Sequence, residues 1–209
     1  MLLFLSRRSL QFICSLSLLT FVVTASFAAD GLTEEEKKAG YVSLFNGTDL
    51  TNWRFGEESP PAKMPENWKV EEGVIKVTGG GSPHLASAKE YGDFEFRLEW
   101  RGMKPKYNSG LFIRSGKKVG AHQLNLASGS EGAFINGKLE GAKPVPKLQK
   151  PSGEWNEWRI RCVGDKVTFH CNGELAWEGT GLAAKSGYLG MQAEGAPLEF
   201  RNLRILEIK

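Results

Sequence analysis

The sequence predicts an all-β protein, a sandwich or barrel of short antiparallel strands. From Tyr41 onward, short stretches of alternating apolar and polar residues follow one another, and no stretch keeps a helical period over ten residues. Residue pairs typical of tight turns separate these stretches: Asn46-Gly47, Glu72-Gly73, Asn136-Gly137, Gly164-Asp165 and Asn172-Gly173. Many short strands joined by glycine-rich turns are typical of sandwiches and barrels.

The candidate strands follow from this alternation. They cover residues 41–45, 68–71, 74–78, 85–88, 93–102, 109–115, 121–127, 132–135, 157–163, 166–171, 175–178, 187–192 and 198–208. Hairpin 157–171 pairs Trp158 with Cys171 and Cys162 with Val167. This register places the two cysteines four residues apart along the strands, about 13 Å at about 3.3 Å per residue. We therefore expect two free, buried thiols rather than a disulfide.

Residues 1–28 have the pattern of an export signal. Arg7 and Arg8 precede a largely apolar run over 10–23, and small residues precede a cleavage site after Ala28. The run is short for a membrane span, so we expect cleavage and no membrane span in the mature protein. The product would be periplasmic or extracellular, exported by the general route or, given the paired arginines, by the twin-arginine route.

Cleavage would remove 28 of the 209 residues and leave 181, enough for one domain with a two-layer core. We expect a short N-terminal segment over 29–40, with Thr33 and Glu36 as the capping box of a short helix, followed by one domain over 41–209. The net charge of +3 falls to +1 once the two arginines of the signal are removed. That balance argues against nucleic acid or a membrane surface as partner.

Three strands in the middle of the chain have one apolar and one polar face. The apolar positions, which we expect in the core, are Phe94, Phe96, Leu98, Trp100, Leu111 and Ile113. The polar positions are Glu95, Arg97, Glu99, Arg101, Asn108, Arg114 and Gln123. Because short connections join the strands, we expect neighbours in one sheet with a polar working surface, on which Gly110 would let another group approach the backbone. The alternating charges over 95–101 are equally typical of a solvated, self-paired face.

Other motifs give little chemistry. The glycine run over 79–81 does not lead into a helix, so it is not a phosphate-binding loop. His84, His122 and His170 lack metal-ligand spacing, and we expect no metal and no cofactor. His122 belongs to the apolar face of its strand, where a core or edge histidine is expected. The lysine-containing stretch over 137–153 is either a solvated loop or a lid over the polar face.

A longer series of motifs resembles a known family. Residues 44–53, which read LFNGTDLTNW, are similar to the opening motif of the secreted bacterial 3-keto-disaccharide hydrolase domain. Further matches follow in order at 68–75, 91–101, 108–114, 123, 153–156, 172–173, 187–192 and 200–203. The resemblance covers residues 41–208. It implies a concanavalin A-like jelly roll of two antiparallel sheets, one of them concave and ligand-binding.

The resemblance also implies a reaction on 3-keto-glycosides such as 3-keto-disaccharides. A ketone at C3 makes the C2 proton acidic; a base removes it, the glycosidic oxygen leaves C1, and water adds to the resulting glucal. Asn108, Arg114 and Gln123 would donate hydrogen bonds to the ketone or enolate oxygen, and Arg97 and Arg101 would be further substrate-binding residues. Arg114 should matter most, because a guanidinium offers several fixed donors.

The base is where this chain departs from the family. Members commonly have a Glu two residues before Gln123, whereas this chain has Ala121, whose methyl group cannot move a proton. Glu95, Glu99 or Glu131 would then have to serve as the catalytic carboxylate.

Three hypotheses for the function follow. The first is a secreted carbohydrate-active enzyme that cleaves 3-keto-glycosides. The second is a lectin-like module that binds sugars and has lost the base. The third is a sandwich that binds other proteins. The sequence leaves open the sugar, its linkage, a structural calcium ion and the oligomeric state.

Overall fold

A computed structural model describes residues 31–56, 63–81 and 83–209 of the chain. The predicted signal over 1–28 lies outside these residues and stays a prediction. Where it is described, the chain is almost entirely β-structure, which confirms the predicted fold class. No helix among these residues is long and apolar enough to cross a membrane.

The elements are short and joined by turns. Helix α1 covers Glu34–Ala39, and a 3₁₀ turn covers Pro146–Leu148. The strands are β1 Val42–Ser43, β2 Trp53–Arg54, β3 Trp68–Glu71, β4 Val74–Val77, β5 Leu85–Ser87, β6 Phe94–Gly102, β7 Gly110–Ser115, β8 Gln123–Asn125, β9 Phe134–Ile135, β10 Asn156–Val163, β11 Lys166–Cys171, β12 Glu174–Gly179, β13 Tyr188–Met191 and β14 Leu198–Glu207. Each predicted strand is present. Strand β2 was not predicted, because two residues are too few to show an alternation.

Helix α1 begins at the predicted capping box. The Thr33 hydroxyl accepts a hydrogen bond from the Glu36 amide at 3.2 Å, and the Glu36 carboxylate accepts one from the Thr33 amide at 3.0 Å. The helix ends at Gly40, whose φ of 92° is a left-handed conformation that glycine adopts readily. Glu36 also accepts from Arg204 of β14, so the helix is tied to the sandwich.

The strands form two antiparallel sheets. The eight-stranded sheet has the order β12-β11-β10-β6-β14-β4-β3, with β1 pairing β14, and the six-stranded sheet has the order β2-β5-β13-β7-β8-β9. The side chains between the sheets form one apolar core. All six side chains predicted to face the core are buried there, namely Phe94, Phe96, Leu98, Trp100, Leu111 and Ile113.

One expectation about the sheets was wrong. Strands β6, β7 and β8 were expected to be neighbours, but β6 lies in the eight-stranded sheet, while β7 and β8 lie in the six-stranded sheet. The chain crosses from one sheet to the other between Gly102 and Gly110. The polar side chains of β6 therefore lie on the outer side of one sheet and Gln123 of β8 on the outer side of the other, where both Glu95 and Gln123 are buried by their neighbours.

The hairpin of β10 and β11 has the predicted register. Trp158 pairs with Cys171, and Cys162 pairs with Val167. Both cysteines are free and buried, as expected. Burial raises the pKa of each thiol to about 12, so both remain protonated and unreactive at neutral pH.

The stretch over 137–153 is largely an exposed loop with solvated lysines, the first of the two forms expected for it, and a few apolar residues anchor it. Leu139, Val145 and Leu148 pack against the core, and the backbone of Glu140 forms a bridge with Thr180, which follows β12. Its apolar residues anchor this stretch along one side of the sandwich. It therefore does not act as a lid over the polar face of β8.

Candidate functional site

Glu95 lies on the outer face of the eight-stranded sheet, surrounded by groups that bind its carboxylate. It accepts hydrogen bonds from the Tyr41 hydroxyl and from Arg97 Nη2, the latter at 2.9 Å, and Arg161 lies 3.6 Å away. Burial works to raise the pKa of Glu95, but the hydrogen bonds from Tyr41 and Arg97 outweigh it, so the pKa lies below its ordinary value. A carboxylate stabilised in this way is a weak base.

Glu99 and Arg101, on the same strand, are paired in the same manner. Glu99 accepts hydrogen bonds from Arg201 Nε and Asn202 Nδ2, both at 2.7 Å. Arg101 Nε donates to Glu199 at 2.8 Å. This face is therefore a network of ion pairs between neighbouring strands, which is the self-paired surface that the alternating charges also allowed.

Glu131 lies in a third place, in the connection between β8 and β9. It is buried and accepts hydrogen bonds from the Tyr107 hydroxyl at 2.7 Å and from the Gly129 amide at 3.0 Å. The carboxylate holds this connection in place. The structure thus brings none of the three carboxylates that were candidates for catalysis together with Gln123.

Arg114 is not on the polar face where it was expected. Its φ of 44° is left-handed, which interrupts the alternation of β7, and its side chain is fully buried. The guanidinium donates to Asp93 at 2.7 Å and to the carbonyls of Gly92, Gly164 and Ala184. Arg114 therefore joins three connecting segments at one end of the sandwich, and these hydrogen bonds occupy four of its five N–H donors.

Gln123 does face outward, on the six-stranded sheet. It pairs with Phe112 across β7 and β8, and its side chain lies over Gly110. A Cβ atom built at Gly110 would overlap the Gln123 side chain. The close approach to the backbone that Gly110 was expected to allow is thus made by a side chain of the protein itself.

The amide of Gln123 is the middle member of a chain of three. Asn136 Nδ2 donates to Gln123 Oε1 at 3.0 Å, and Gln123 Nε2 donates to Gln192 Oε1 at 2.9 Å. Each amide is oriented by its neighbour, so the chain has a fixed direction. It ends at Gln192 Nε2, which has no hydrogen-bond partner among the residues that the structure describes. This chain, Asn136–Gln123–Gln192, is called the amide chain below.

His84 lies beside the amide chain. Its ring packs on Phe112 with centroids 5.5 Å apart, and its Nδ1 accepts a hydrogen bond from the Ala193 amide at 3.2 Å. Burial lowers the pKa of His84, and the charge of Glu194 opposes this only in part. The ring is therefore neutral at pH 7, and because Nδ1 is the acceptor, the proton is on Nε2.

A cavity of about 310 Å³ opens next to His84. Its lining comes from β2 and β5, from the residues just before β5, and from the connections that follow β2 and β7: Arg54, Gly56, Pro83, His84, Ala86, Lys117, Lys118 and Val119. Arg54 is held in place by the carbonyls of Ser87 and Lys117 and by the ring of Tyr188, 4.3 Å from its guanidinium carbon. The volume is within the range of small-molecule sites.

Asn108 and Glu194 also lie in this region. Asn108 is in contact distance of Gly195, since a Cβ built at Gly195 would be 3.0 Å from the Cβ of Asn108. Gln192 and Glu194 are half-buried, whereas Met191, before them, and Ala193, between them, are buried. This alternation places Gln192 and Glu194 on the same side of the chain. Asn108 and Gln123 are thus the two predicted site residues that the structure brings together.

Sequence reasoning missed Gln192, His84 and Glu194. The alternation over 191–194 was a usable signal, but the predicted strand ended at Gln192. His84 was considered only as a metal ligand. In the described part of the chain, no group of three or more His, Cys, Asp or Glu side chains is arranged to hold a metal ion.

A second cavity, of about 530 Å³, lies where Arg114 joins the connecting segments. Its acidic side chains are already engaged: Asp93 accepts from Arg114 and from the Gly164 amide, and Asp165 accepts from the Gly181 amide at 3.3 Å. The amide chain is not near this cavity's lining. We therefore take the outer face of the six-stranded sheet as the candidate site.

Known proteins support the assignment of the fold. The Bacillus licheniformis beta-glucanase is 14% identical, with a TM-score of 0.57 over 79% of this chain and 96% of that one. A crystal structure from Parabacteroides distasonis ATCC 8503, provisionally assigned as a glycosyl hydrolase, is 24% identical, with a TM-score of 0.64 over 85% of this chain and 98% of that one. At these identities the likeness shows the fold, a jelly-roll sandwich.

Sequence comparison reaches the family. A 3-keto-disaccharide hydrolase of Bacteroides thetaiotaomicron is 26% identical over 79% of this chain and 78% of the relative. The model of the 3-keto-alpha-glucoside-1,2-lyase-like domain matches residues 40–206, which is nearly the whole described sandwich. This chain therefore belongs to the 3-keto-alpha-glucoside-1,2-lyase-like domain family.

Proposed function

We propose that this chain binds a 3-keto-glycoside on the outer face of the six-stranded sheet and cleaves its glycosidic bond. The sugar would lie across the amide chain with one end in the cavity beside His84. Family membership supports the class of substrate. The observation that carries the location is the amide chain, which ends in a donor without a hydrogen-bond partner among the described residues.

A ketone or enolate oxygen needs donors that are already in place. Gln192 Nε2 is one such donor, oriented through Gln123 and Asn136. His84 Nε2–H is a second, because its tautomer is set by the Ala193 amide. These two groups would stabilise the negative charge that develops on the C3 oxygen when the C2 proton leaves. Asn108 would bind a hydroxyl group at the border of the site.

A lectin-like module is the second candidate, and Ala121 is the observation that favours it. The family's usual Glu is absent at this position, and the Ala121 amide donates to Ser115 Oγ at 3.1 Å as part of a turn. A site that kept its donors and lost its base would bind the sugar without turning it over.

The test uses Gln192→Glu, which keeps the oxygen that accepts from Gln123 and removes the outward donor. We expect binding of a 3-keto-disaccharide to weaken roughly tenfold or more, since a hydrogen bond is lost and a carboxylate faces the sugar oxygens. Calorimetric titration measures the affinity, and a thermal melt checks the fold. Unchanged affinity in a folded variant would contradict the location of the site.

Turnover separates the two candidates. Release of the free sugar from a 3-keto-disaccharide by the wild-type protein supports the enzyme. Binding of the same compound without release supports the lectin-like module. Glu99→Gln, on the opposite face, is the control for both assays and should change neither result.

A further inference from the structure

Glu194 is a carboxylate that no other described group neutralises, and it lies beside the amide chain. Among residues 31–56, 63–81 and 83–209, it has no hydrogen-bond or ion-pair partner. The two residues before it are held in place, since the backbone amide of Gln192 donates to the Gly110 carbonyl at 2.9 Å and the backbone amide of Ala193 donates to His84 Nδ1 at 3.2 Å. Glu95, Glu99 and Glu131 contrast with it, because each accepts hydrogen bonds from neighbouring groups.

We propose that Glu194 is the catalytic base of this chain, in place of the Glu that the family has where this chain has Ala121. The inference rests on the proposed function. The Glu194 carboxylate takes the proton from C2 of the 3-keto-sugar, and the electron pair of that C–H bond forms a C2=C3 bond with negative charge on the C3 oxygen. Gln192 and His84 donate hydrogen bonds to that oxygen.

In the second half of the reaction, the negative charge on the C3 oxygen moves to the leaving glycosidic oxygen. The C3 oxygen re-forms its carbonyl, the C2 electrons form a C1=C2 bond, and the bond from C1 to the glycosidic oxygen breaks. The leaving oxygen takes the proton that Glu194 now holds. Water then adds across the C1=C2 bond and gives the free 3-keto-sugar. No oxidant or reductant is needed, and each proton removed is returned.

The location of Glu194 fits this role for a physical reason. It follows Gln192 by two residues in an extended stretch where alternate side chains face the same way, so the Cα atoms of the two residues are about 6.6 Å apart. Two side chains at this spacing can reach C2 and the C3 oxygen of one sugar, because C2 and C3 are neighbouring carbons of the ring. His84 is close to both residues, because its Nδ1 accepts a hydrogen bond from Ala193, which lies between Gln192 and Glu194 in the chain.

The experiment isolates proton removal from bond cleavage. Its probe is the 3-ketone of 1,5-anhydroglucitol, which has a C2 proton and no leaving group at C1. Exchange of this proton for deuterium is followed by NMR in D₂O near pH 7, with the spontaneous rate subtracted. Binding of the same compound is measured by calorimetry. The variants are Glu194→Gln and the control Glu174→Gln, an exposed residue of β12 in the other sheet.

We expect wild type and Glu174→Gln to exchange the proton. Glu194→Gln should still bind the probe but exchange its C2 proton at least about a hundredfold more slowly. Equal exchange by Glu194→Gln and wild type would overturn the role of Glu194 and leave the proposed function standing. Binding without exchange by any form, wild type included, would overturn both the base and the enzyme, and would favour the lectin-like module. No binding by wild type would overturn the site itself.

Discussion

At the scale of single residues, the candidate site depends on small side chains and fixed hydrogen bonds. Gly110 leaves the space in which the Gln123 side chain lies flat on the sheet. Gln123 then orients Gln192, and the Ala193 amide orients His84. The amide chain and the histidine ring are thus in position before any ligand arrives, which lowers the entropic cost of binding.

The pH dependence of stability tests the state of His84. Because its pKa is lower in the folded protein than its ordinary value of 6.5, the unfolded chain binds more protons as the pH falls below that value. We therefore expect the stabilising effect of the neutral ring to be complete above about pH 6.5 and to be lost progressively below it. Melting temperatures between pH 7.5 and pH 5 measure this dependence.

The comparison variant is His84→Asn, which can still accept from the Ala193 amide but does not titrate. Its melting temperature should fall less over the same interval. The pKa of His170 is also lowered, by burial and by Arg159, but that contribution is common to both proteins and cancels. Identical slopes for the two proteins would show that His84 is not held neutral by the fold.

At the scale of elements, most strands and the register of one hairpin could be predicted from the sequence, but the partners of the strands could not. Alternation defines which residues of β6 and β7 face the core, because it is a local property of each strand. It does not define sheet membership, and β6 and β7 fell in different sheets. The direction of the Arg114 side chain could not be predicted either, because the left-handed φ of this residue moves the side chain off the face that alternation assigns.

We expect Arg114 to stabilise the fold rather than to donate hydrogen bonds to a sugar. Arg114→Ala leaves the carbonyls of Gly92, Gly164 and Ala184 without their partner, and we expect a loss of about 3 kcal/mol in the free energy of unfolding. Urea denaturation followed by tryptophan fluorescence measures it. Lys166→Ala, which breaks an exposed ion pair with Glu178, is the control and should change little.

A different result would restore the original role of Arg114. If Arg114→Ala were as stable as wild type and bound sugar more weakly, the guanidinium would be free in solution to reach a ligand. The burial of the side chain argues against that outcome.

At the scale of the whole molecule, the two outer faces of the sandwich have different properties. The outer face of the eight-stranded sheet carries ion pairs between strands, whereas the outer face of the six-stranded sheet carries amides, a neutral histidine and a cavity. Asn108 and Gln123 are the candidate site residues that the sequence predicts and the structure brings together. The alternation over 191–194 indicates that Gln192 and Glu194 face the same way, but not that they meet His84, because that depends on the strand order β5-β13-β7-β8.

Export is the prediction that belongs to the whole chain. The signal pattern over 1–28 leads us to propose that the mature protein begins at Ala29 and is released to the periplasm or beyond. Mass spectrometry of the protein from a bacterial host that exports it should give a chain that lacks the first 28 residues. An intact N-terminus in a membrane fraction would show instead that the apolar run is an anchor.

The central claim is that the sugar binds the outer face of the six-stranded sheet. The most direct measurement is a titration of isotope-labelled protein with a 3-keto-disaccharide, followed through its amide signals by NMR. We expect the largest shifts at the side-chain amide of Gln192 and at the backbone amides of Ala193 and Glu194. Shifts concentrated on the opposite face, around Glu95 and Glu99, would contradict it.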